Sequence, residues 1–485
     1  MVGGESFLGL WSDNWSNRRL RDALIFKDKK ISYGELDAAT LQVGSYLSDR
    51  FELDRSTIVA IMAKSCEAAV ILNIALVRAG CTLVPVNPSL SLDELAHIVT
   101  TAKPKLFISF NAEISRYLKK RSDIEVADGE WLYQDAKKPS MCGVAAYGRS
   151  TESTTLIAFT SGTTAAPKGV PISNSSISWN LRTLAALWEL NSEDSLYLSL
   201  PLFHIHGLVV GLYGALSVGA SVYVEDRYSP AVLEQLLRSR DVNTFFGVPT
   251  MYHRLLVSGK ADALSYARLV VSGSAPLSQV LFEDIFETSG KAVVERYGMT
   301  ETLIISSNPY RGEKRRWSVG IPLPETNVSF TDEEEILISG PGVLSGYLAE
   351  DGQIEAAVSS STPFATGDLG HMVDGYLYID GRKKDLIITG GHNVHPFEVE
   401  EAISRISNVL EVAVVGKPSL EWGEEVTAFV VADGSLDEET VRRFVGGRLS
   451  PFKVPKSVVF VESLPKNVIG KLDRRTLKAQ CFEGS

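Results

Sequence analysis

Cysteine is scarce in this chain. Four thiols, Cys66, Cys81, Cys142 and Cys481, are spread over 485 residues. They show no metal-like spacing, which argues against a disulfide scaffold or a thiolate metal centre and marks them as reduced thiols of a cytoplasmic protein. Histidine is sparse too, seven in all. His204 and His206 lie two apart with no third ligand residue nearby, which is too little for zinc. An excess of positive charge is also missing: 48 Lys and Arg against 59 Asp and Glu leave a formal net charge of −11. That balance argues against nucleic acid or an anionic membrane surface as partner. No long apolar run is present either. The most apolar region, 207–224, is broken by glycines and reads as a core helix followed by a strand, not a membrane span. The N-terminus has no basic segment followed by an apolar core, so no secretory leader is expected. Internal repeats, heptads and low-complexity tails are absent.

What remains is the composition of a globular protein with a large core, 45% hydrophobic and 22% charged. The length suggests roughly two to four domains. Residues 23–26 and 30–33 flank Lys27-Asp-Lys as a hairpin. Ser32 with Glu35, and Ser91 with Glu94, are capping boxes that open helices. Buried strands at 58–62, 82–86 and 106–109 alternate with helices, a pattern that implies parallel sheet. From Trp317 short strands and turns dominate, reading as a small β-barrel or β-rich subdomain. The charged turn 380–385 marks a boundary between a domain of residues 1–380 and one of 381–485. The latter reads β–α–β–β–α–β. The fold class is therefore α/β: a large N-terminal domain of two doubly wound subdomains plus the small β-barrel, then a small mobile α+β domain.

The chemistry concentrates at strand ends. Residues 158–170 read Ala-Phe-Thr-Ser-Gly-Thr-Thr-Ala-Ala-Pro-Lys-Gly-Val. The hydroxyls of Thr160, Ser161, Thr163 and Thr164, the glycines Gly162 and Gly169, and Lys168 suit a polyphosphate. The spacing is not that of a Walker loop, which needs a second Gly directly before its Lys. Other strand ends occur at 247–250 and at Ser272-Gly273-Ser274-Ala275, where open α/β sheets bind ligands. A further one carries Tyr297, a flat face for a purine, with the hydroxyl of Thr300 and the carboxylate of Glu301, an oxygen ligand for Mg2+. Asp368 in Thr-Gly-Asp could accept from ribose hydroxyls, or be an ordinary Asx turn. His206 reads as lining a cleft, and Lys471 follows Gly470 on a hinged loop near the C-terminus.

In order, these motifs resemble the adenylate-forming superfamily of acyl-CoA synthetases, luciferases and peptide-synthetase adenylation domains. They are the loop 160–169, Tyr297-Gly298-Met299-Thr300-Glu301, Thr366-Gly-Asp368, Gly381-Arg382-Lys-Lys384-Asp, and Pro465-Lys-Asn-Val-Ile-Gly-Lys471. The resemblance covers essentially the whole chain. It implies that the loop closes over the phosphates of ATP and that Tyr297 packs on adenine beside Ser272–Ala275. Glu295, Arg296, Gly298 and Met299 complete that wall. Thr300 contacts the α-phosphate, Glu301 binds Mg2+, and Asp368 and Arg382 hold the ribose. Lys384 is the hinge, Lys471 enters the site for adenylation, and Gly390 and Gly391 line the tunnel for CoA. Ala165 departs from the Gly or Ser usual in the loop, a change expected to be harmless.

A narrower resemblance, carried by 201–207, 245–254, 271–275 and 295–302, is to malonyl-CoA synthetases. It implies that Arg254 and Ser274 bind the distal carboxylate of malonate, with His206 and Met299 lining the acid pocket. A small dicarboxylate offers little apolar surface, so recognition falls to a guanidinium. The expected partners are a small carboxylic acid (malonate or methylmalonate), ATP and CoA, with the protein a monomer or homodimer. The alternatives are a CoA ligase for oxalate, an aromatic acid or a fatty acid, an adenylation domain feeding a carrier protein, and a nucleotide-binding protein without catalysis.

Overall fold

Apolar strands and an all-round apolar helix build the centre of the molecule. The computed structural model describes residues 6–27, 29–55, 57–121, 123–138, 153–160, 167–349, 352–356, 362–466 and 472–483. Among the described residues, an eight-stranded sheet runs in the order Ile354–Ala356, Gly346–Leu348, Lys168–Ser173, Thr154–Thr160, Thr82–Val86, Ile58–Met62, Leu106–Ser109, Glu125–Asp128. A nine-stranded sheet runs Ile321–Pro322, Leu303–Ser307, Val294–Met299, Leu269–Ser272, Thr244–Gly247, Ser195–Leu198, Ser221–Val224, Asp22–Phe26, Lys29–Ser32. Helix Glu67–Arg78 is buried without a break from Ala68 to Val77. A helix apolar on every side belongs in the interior, and one core cluster joins it to residues of both sheets, including Leu156, Val170, Leu196 and Val294.

The expected hairpin and both capping boxes are present, with the Ser32 and Ser91 side chains receiving the amides of Glu35 and Glu94. The apolar region 207–224 differs in one respect. It begins as a wide-turned π-helix, His206–Tyr213, continues as Gly214–Ser217, and only then becomes the strand Ser221–Val224. Glycines within it allow close packing: a Cβ on Gly207 would lie 2.4 Å from the Pro201 carbonyl oxygen, and one on Gly211 2.7 Å from Leu198 Cδ1. The N-terminal helix Phe7–Ser16 has no counterpart among the sequence expectations. Its Trp11 stacks on Trp15 at 5.3 Å and meets Phe7 edge-on at 5.0 Å. The indole N–H groups of Trp11 and Trp15 donate to Ser217 Oγ and the Leu216 carbonyl.

The β-rich stretch forms a four-stranded antiparallel sheet of Asn327–Phe330, Glu335–Ser339, Phe364–Val373 and Tyr376–Arg382. Gly346–Leu348, which lies within that stretch, crosses to the edge of the eight-stranded sheet beside Lys168–Ser173. The proposed division at 380/381 falls just before the end of the Tyr376–Arg382 strand, and the turn Lys383–Asp385 follows. Beyond it lies the smaller domain, with its own core around Val399, Ile403, Val414 and Val430. It comprises the hairpin Ile387–Thr389 and His392–Val394, helix Pro396–Ser404, the long pair Val409–Ser419 and Gly423–Ala432, helix Glu438–Gly446, strand Ser457–Phe460 and helix Arg474–Glu483.

Trp11 is 1% exposed, and truncation leaves a cavity that the stacked rings cannot close. Trp11→Ala is expected to destabilise the large domain by about 3–5 kcal/mol, read as a lower urea midpoint followed by intrinsic fluorescence.

Candidate active site

Three adjacent strands place the expected residues in one row. Register pairs Gly247 with Ser272 and Ser272 with Glu295. The turns after these parallel strands therefore open on the same side of the sheet. The strand Val294–Met299 then changes partner, running parallel to Leu269–Ser272 and antiparallel to Leu303–Ser307. The change demands a close backbone approach. A Cβ on Gly298 would lie 2.0 Å from the Leu303 carbonyl oxygen, so glycine is required there.

Tyr297 donates from its hydroxyl to Asp368 Oδ2 at 2.6 Å. Arg382 Nε lies 3.1 Å from Asp368 Oδ1, across the paired residues of a hairpin. Burial, and then the Asp368 charge, push the Tyr297 phenol well above its ordinary range, so it stays a donor. Asp368 is 4% exposed. Each oxygen of a carboxylate can accept more than one hydrogen bond, so a ligand hydroxyl can share this one with Tyr297 and Arg382. The structure thus brings together Tyr297, Asp368 and Arg382 as expected.

A second group surrounds Ser274. This residue sits at φ +69, a left-handed conformation that costs an L-residue roughly 1–2 kcal/mol. Its Oγ lies 3.2 Å from His206 Nδ1 and 3.4 Å from Arg296 Nη2. His206 stacks against Phe246. Arg296 is 5% exposed, and burial pulls its pKa down to about 9. Among the described residues no carboxylate is paired with it, and its Nε has no hydrogen-bond partner. Gly273 makes room: a Cβ there would lie 2.3 Å from Arg296 Nε. Arg296, expected on the nucleotide wall, thus lies beside Ser274 and His206. Arg254, expected as the acid clamp, is exposed on helix Pro249–Val257, and its charge reaches the buried phenol of Tyr228.

The phosphate end is defined at its rims. Ser161, Gly162, Thr163, Thr164 and Ala165 lie outside the described residues, as does Lys471. Thr160 and Lys168 are paired in register at the loop's two ends. Lys168 Nζ sits 5.0 Å above the ring of Tyr347, and the Tyr347 hydroxyl is hydrogen-bonded to the Glu301 carboxylate. His97 Nε2 meets the Pro167 carbonyl at 2.8 Å. Glu301 and Thr300 are partly exposed beside this group, and Met299 ends its strand. A half-buried carboxylate that meets a phenol, next to a lysine, fits a hard cation whose other ligands are phosphate and water. Glu301 would hold it. Ser272 is buried with no partner for its Oγ among the described residues, and Ala275 is partly buried after it.

Gly390 and Gly391 form the exposed turn of the hairpin Ile387–Thr389/His392–Val394, with Gly390 against the Trp422 ring. Lys384 is exposed in the interdomain turn. Tyr347, His97 and the small-domain Glu401 were not foreseen. Tyr347 carried a faint signal as an aromatic in a Gly-rich turn. His97 and Glu401 carried none, because each acts across elements distant in sequence.

Comparison with known proteins shows the family and the fold. Residues 12–348 match the family described as AMP-binding enzyme, and 398–471 match the AMP-binding enzyme C-terminal domain. A 2-succinylbenzoate–CoA ligase of Listeria monocytogenes is 30% identical over 473 residues, covering 96% of this chain and 98% of that protein. A malonate–CoA ligase of Arabidopsis thaliana is 28% identical over 526 residues, covering 96% and 86%. The crystal structure of ATP-bound MatB from Rhodopseudomonas palustris superposes with a TM-score of 0.90 at 33% identity, covering 98% of this chain and 99% of that one.

Glu295 gives a test of the buried electrostatics. Burial first, and then the Glu401 charge, raise its pKa from an ordinary 4.5 to about 8, against the opposing hydrogen bond from the Leu277 amide. A carboxyl whose folded pKa is raised stabilises the fold fully below its unfolded pKa, and that contribution is lost as pH rises through the folded value. The melting temperature is therefore expected to fall between about pH 5 and pH 8. Glu295→Gln should flatten that fall in differential scanning fluorimetry, while an unchanged slope would remove Glu295 as its source.

Proposed function

The chain belongs to the AMP-binding enzyme family, and we propose that within it the acid activated is malonate, with methylmalonate a permitted variant. AMP-forming ligation of an acid to CoA with ATP is the chemistry of the fold. A free carboxylate is a poor acyl donor because oxide is a poor leaving group, and AMP is a better one. The acid's own carboxylate attacks the α-phosphate, pyrophosphate leaves, and the CoA thiol then displaces AMP. No protein nucleophile is needed.

The chain's residues divide this work. Tyr297, Asp368 and Arg382 orient the nucleoside, and Lys168 with the 161–166 hydroxyls meets the phosphates. Glu301 would hold Mg2+, which would supply charge neutralisation there. Thr300 stands at the α-phosphate, and Lys471 would reduce the repulsion between two approaching anions. The Gly390-Gly391 turn would line the thiol path in the second step, with Lys384 as the pivot between the steps.

The observation that carries the substrate assignment is Arg296. A buried guanidinium without a carboxylate is costly. Its cost is offset when the acid brings a second carboxylate to Arg296 Nη2, Ser274 Oγ and His206 Nδ1. Arg254, exposed on helix Pro249–Val257, is the second candidate for that carboxylate. An apolar acid, aromatic or fatty, would leave the guanidinium unpaired, and oxalate is too short to present two carboxylates at two separated centres. The Listeria relative acts on 2-succinylbenzoate, itself a dicarboxylic acid, and this supports a second reading in which a longer diacid fills the same charge.

Pyrophosphate release across oxalate, malonate, methylmalonate, 2-succinylbenzoate, benzoate and octanoate ranks the two readings. Arg296→Met keeps the volume and removes the charge. It is expected to lower kcat/KM for malonate roughly a hundredfold, the scale of stranding a desolvated charged partner, with propionate largely spared. Arg254→Ala should weaken malonate use without altering ATP binding. Equal use of malonate and propionate by the unmodified enzyme would sink the dicarboxylate assignment.

A further inference from the structure

The two domains touch through a small polar contact of unusual composition. Helix Gln279–Ser289 of the large domain points its N-terminus at helix Pro396–Ser404 of the small one. The Gln279 amide N–H donates to both carboxylate oxygens of Glu401, at 3.2 and 3.4 Å. Arg405, at the end of the same small-domain helix, donates to the Gln279 side-chain oxygen. Beyond the interdomain turn, where Arg382 meets Asp368 and Lys383 donates to Glu335, Gln279 takes part in three side-chain hydrogen bonds between the domains. Glu401 is 8% exposed, so it is held inside this joint and does not lie on the surface beside it.

The contact reaches the site along the chain. Two residues before Gln279, the Leu277 amide is hydrogen-bonded to the Glu295 carboxylate. Glu295 directly precedes Arg296 and Tyr297. The turn 277–279 is therefore gripped from both domains, by Glu295 at one amide and Glu401 at another. The groups facing Glu401 are Arg405 and Glu400 on its own helix end, and Glu283 and Glu295 from the large domain. Carboxylates outnumber the one guanidinium, and Glu401 is pushed up to about 7, chiefly by burial. Such a joint holds through the directed hydrogen bond, because net attraction between its charges is weak.

We propose that Glu401 is a positioning residue that sets the orientation of the small domain over the active site by receiving the Gln279 amide. The orientation seen here is the one it selects. The helix N-terminus favours a carboxylate there, and rotation of the small domain about the Lys383–Asp385 turn would break this bond. Glu401 touches no reacting atom. It acts by holding the small domain against the turn 277–279, next to the strand that carries Glu295 and Tyr297. This inference rests on the two-step ligase chemistry, in which adenylation and thiol transfer can be measured separately.

The test uses the full-length enzyme with Glu401→Ala, which loses the acceptor, and Glu401→Gln, which keeps an acceptor oxygen. Small-angle X-ray scattering of the substrate-free protein reads domain orientation. Pyrophosphate release without CoA reads the first step, and thioester formation from presynthesised acyl adenylate reads the second. Glu401→Ala should change the scattering profile and slow the first step about tenfold, the scale of a lost hydrogen bond to a charged group. The second step should stay within about twofold, and Glu401→Gln should restore both readouts. The proposal is overturned if the Ala variant scatters as the unmodified enzyme does, or if both steps fall together with a lower melting temperature. If the unmodified enzyme releases no pyrophosphate with any acid, the ligase reading fails, and the scattering comparison still decides the role of Glu401.

Discussion

The partner change of the strand Val294–Met299 is the constraint on which the site depends. A strand that is parallel on one edge and antiparallel on the other must bring its end against the returning chain. Here that approach is the contact of Gly298 with the Leu303 carbonyl. No side chain fits between them. The return places Glu301 at the turn, where the Leu344 amide donates to the Glu301 carbonyl at 2.7 Å. It also lets the Tyr347 hydroxyl reach the Glu301 carboxylate. The phosphate end of the site is thus tied to the eight-stranded sheet, since Leu348 pairs with Gly169 just after Lys168. Two sheets that share one core also share one ligand face.

Charge in the site is arranged by what is left unpaired. Elsewhere the chain pairs its buried ions well: Asp194, 2% exposed, takes two bonds of 2.7 Å from Arg268. Arg296 has no such partner among the described residues, although it is more deeply buried than Arg268. Leaving a guanidinium in that state lowers stability. The contrast between Arg268 and Arg296, at opposite ends of neighbouring strands, is between an ion paired within the fold and one without a carboxylate among the described residues.

The strands and capping boxes were legible in the sequence because they depend on local pattern, such as the unbroken apolar run at 58–62 or Ser91 followed by Glu94. The ordered motifs were legible because their residue types serve one chemistry. What could not be read was anything fixed by contact across elements. Arg296 stood in a motif credited to the nucleotide, and only the seat against Gly273 turns it toward Ser274. Arg254 was credited with the acid's second carboxylate through the resemblance of its motif, and the sequence did not show that its side chain is exposed on helix Pro249–Val257. The helix Phe7–Ser16 escaped notice because its buried face is three aromatic rings whose partners, Tyr213 and Ser217, lie about two hundred residues away.

Successive side chains of a strand point to opposite faces, and here that elementary alternation divides three consecutive residues between two sets of contacts. Glu295 and Tyr297 share one face, Arg296 the other. On the first face Glu295 holds the turn that the small domain grips, and Tyr297 holds Asp368, whose other oxygen meets Arg382 at the interdomain turn. On the second face Arg296 meets Ser274 and, beyond it, His206. Three consecutive residues thus connect the Ser274–His206 group, the Tyr297–Asp368–Arg382 group and the turn that the small domain grips.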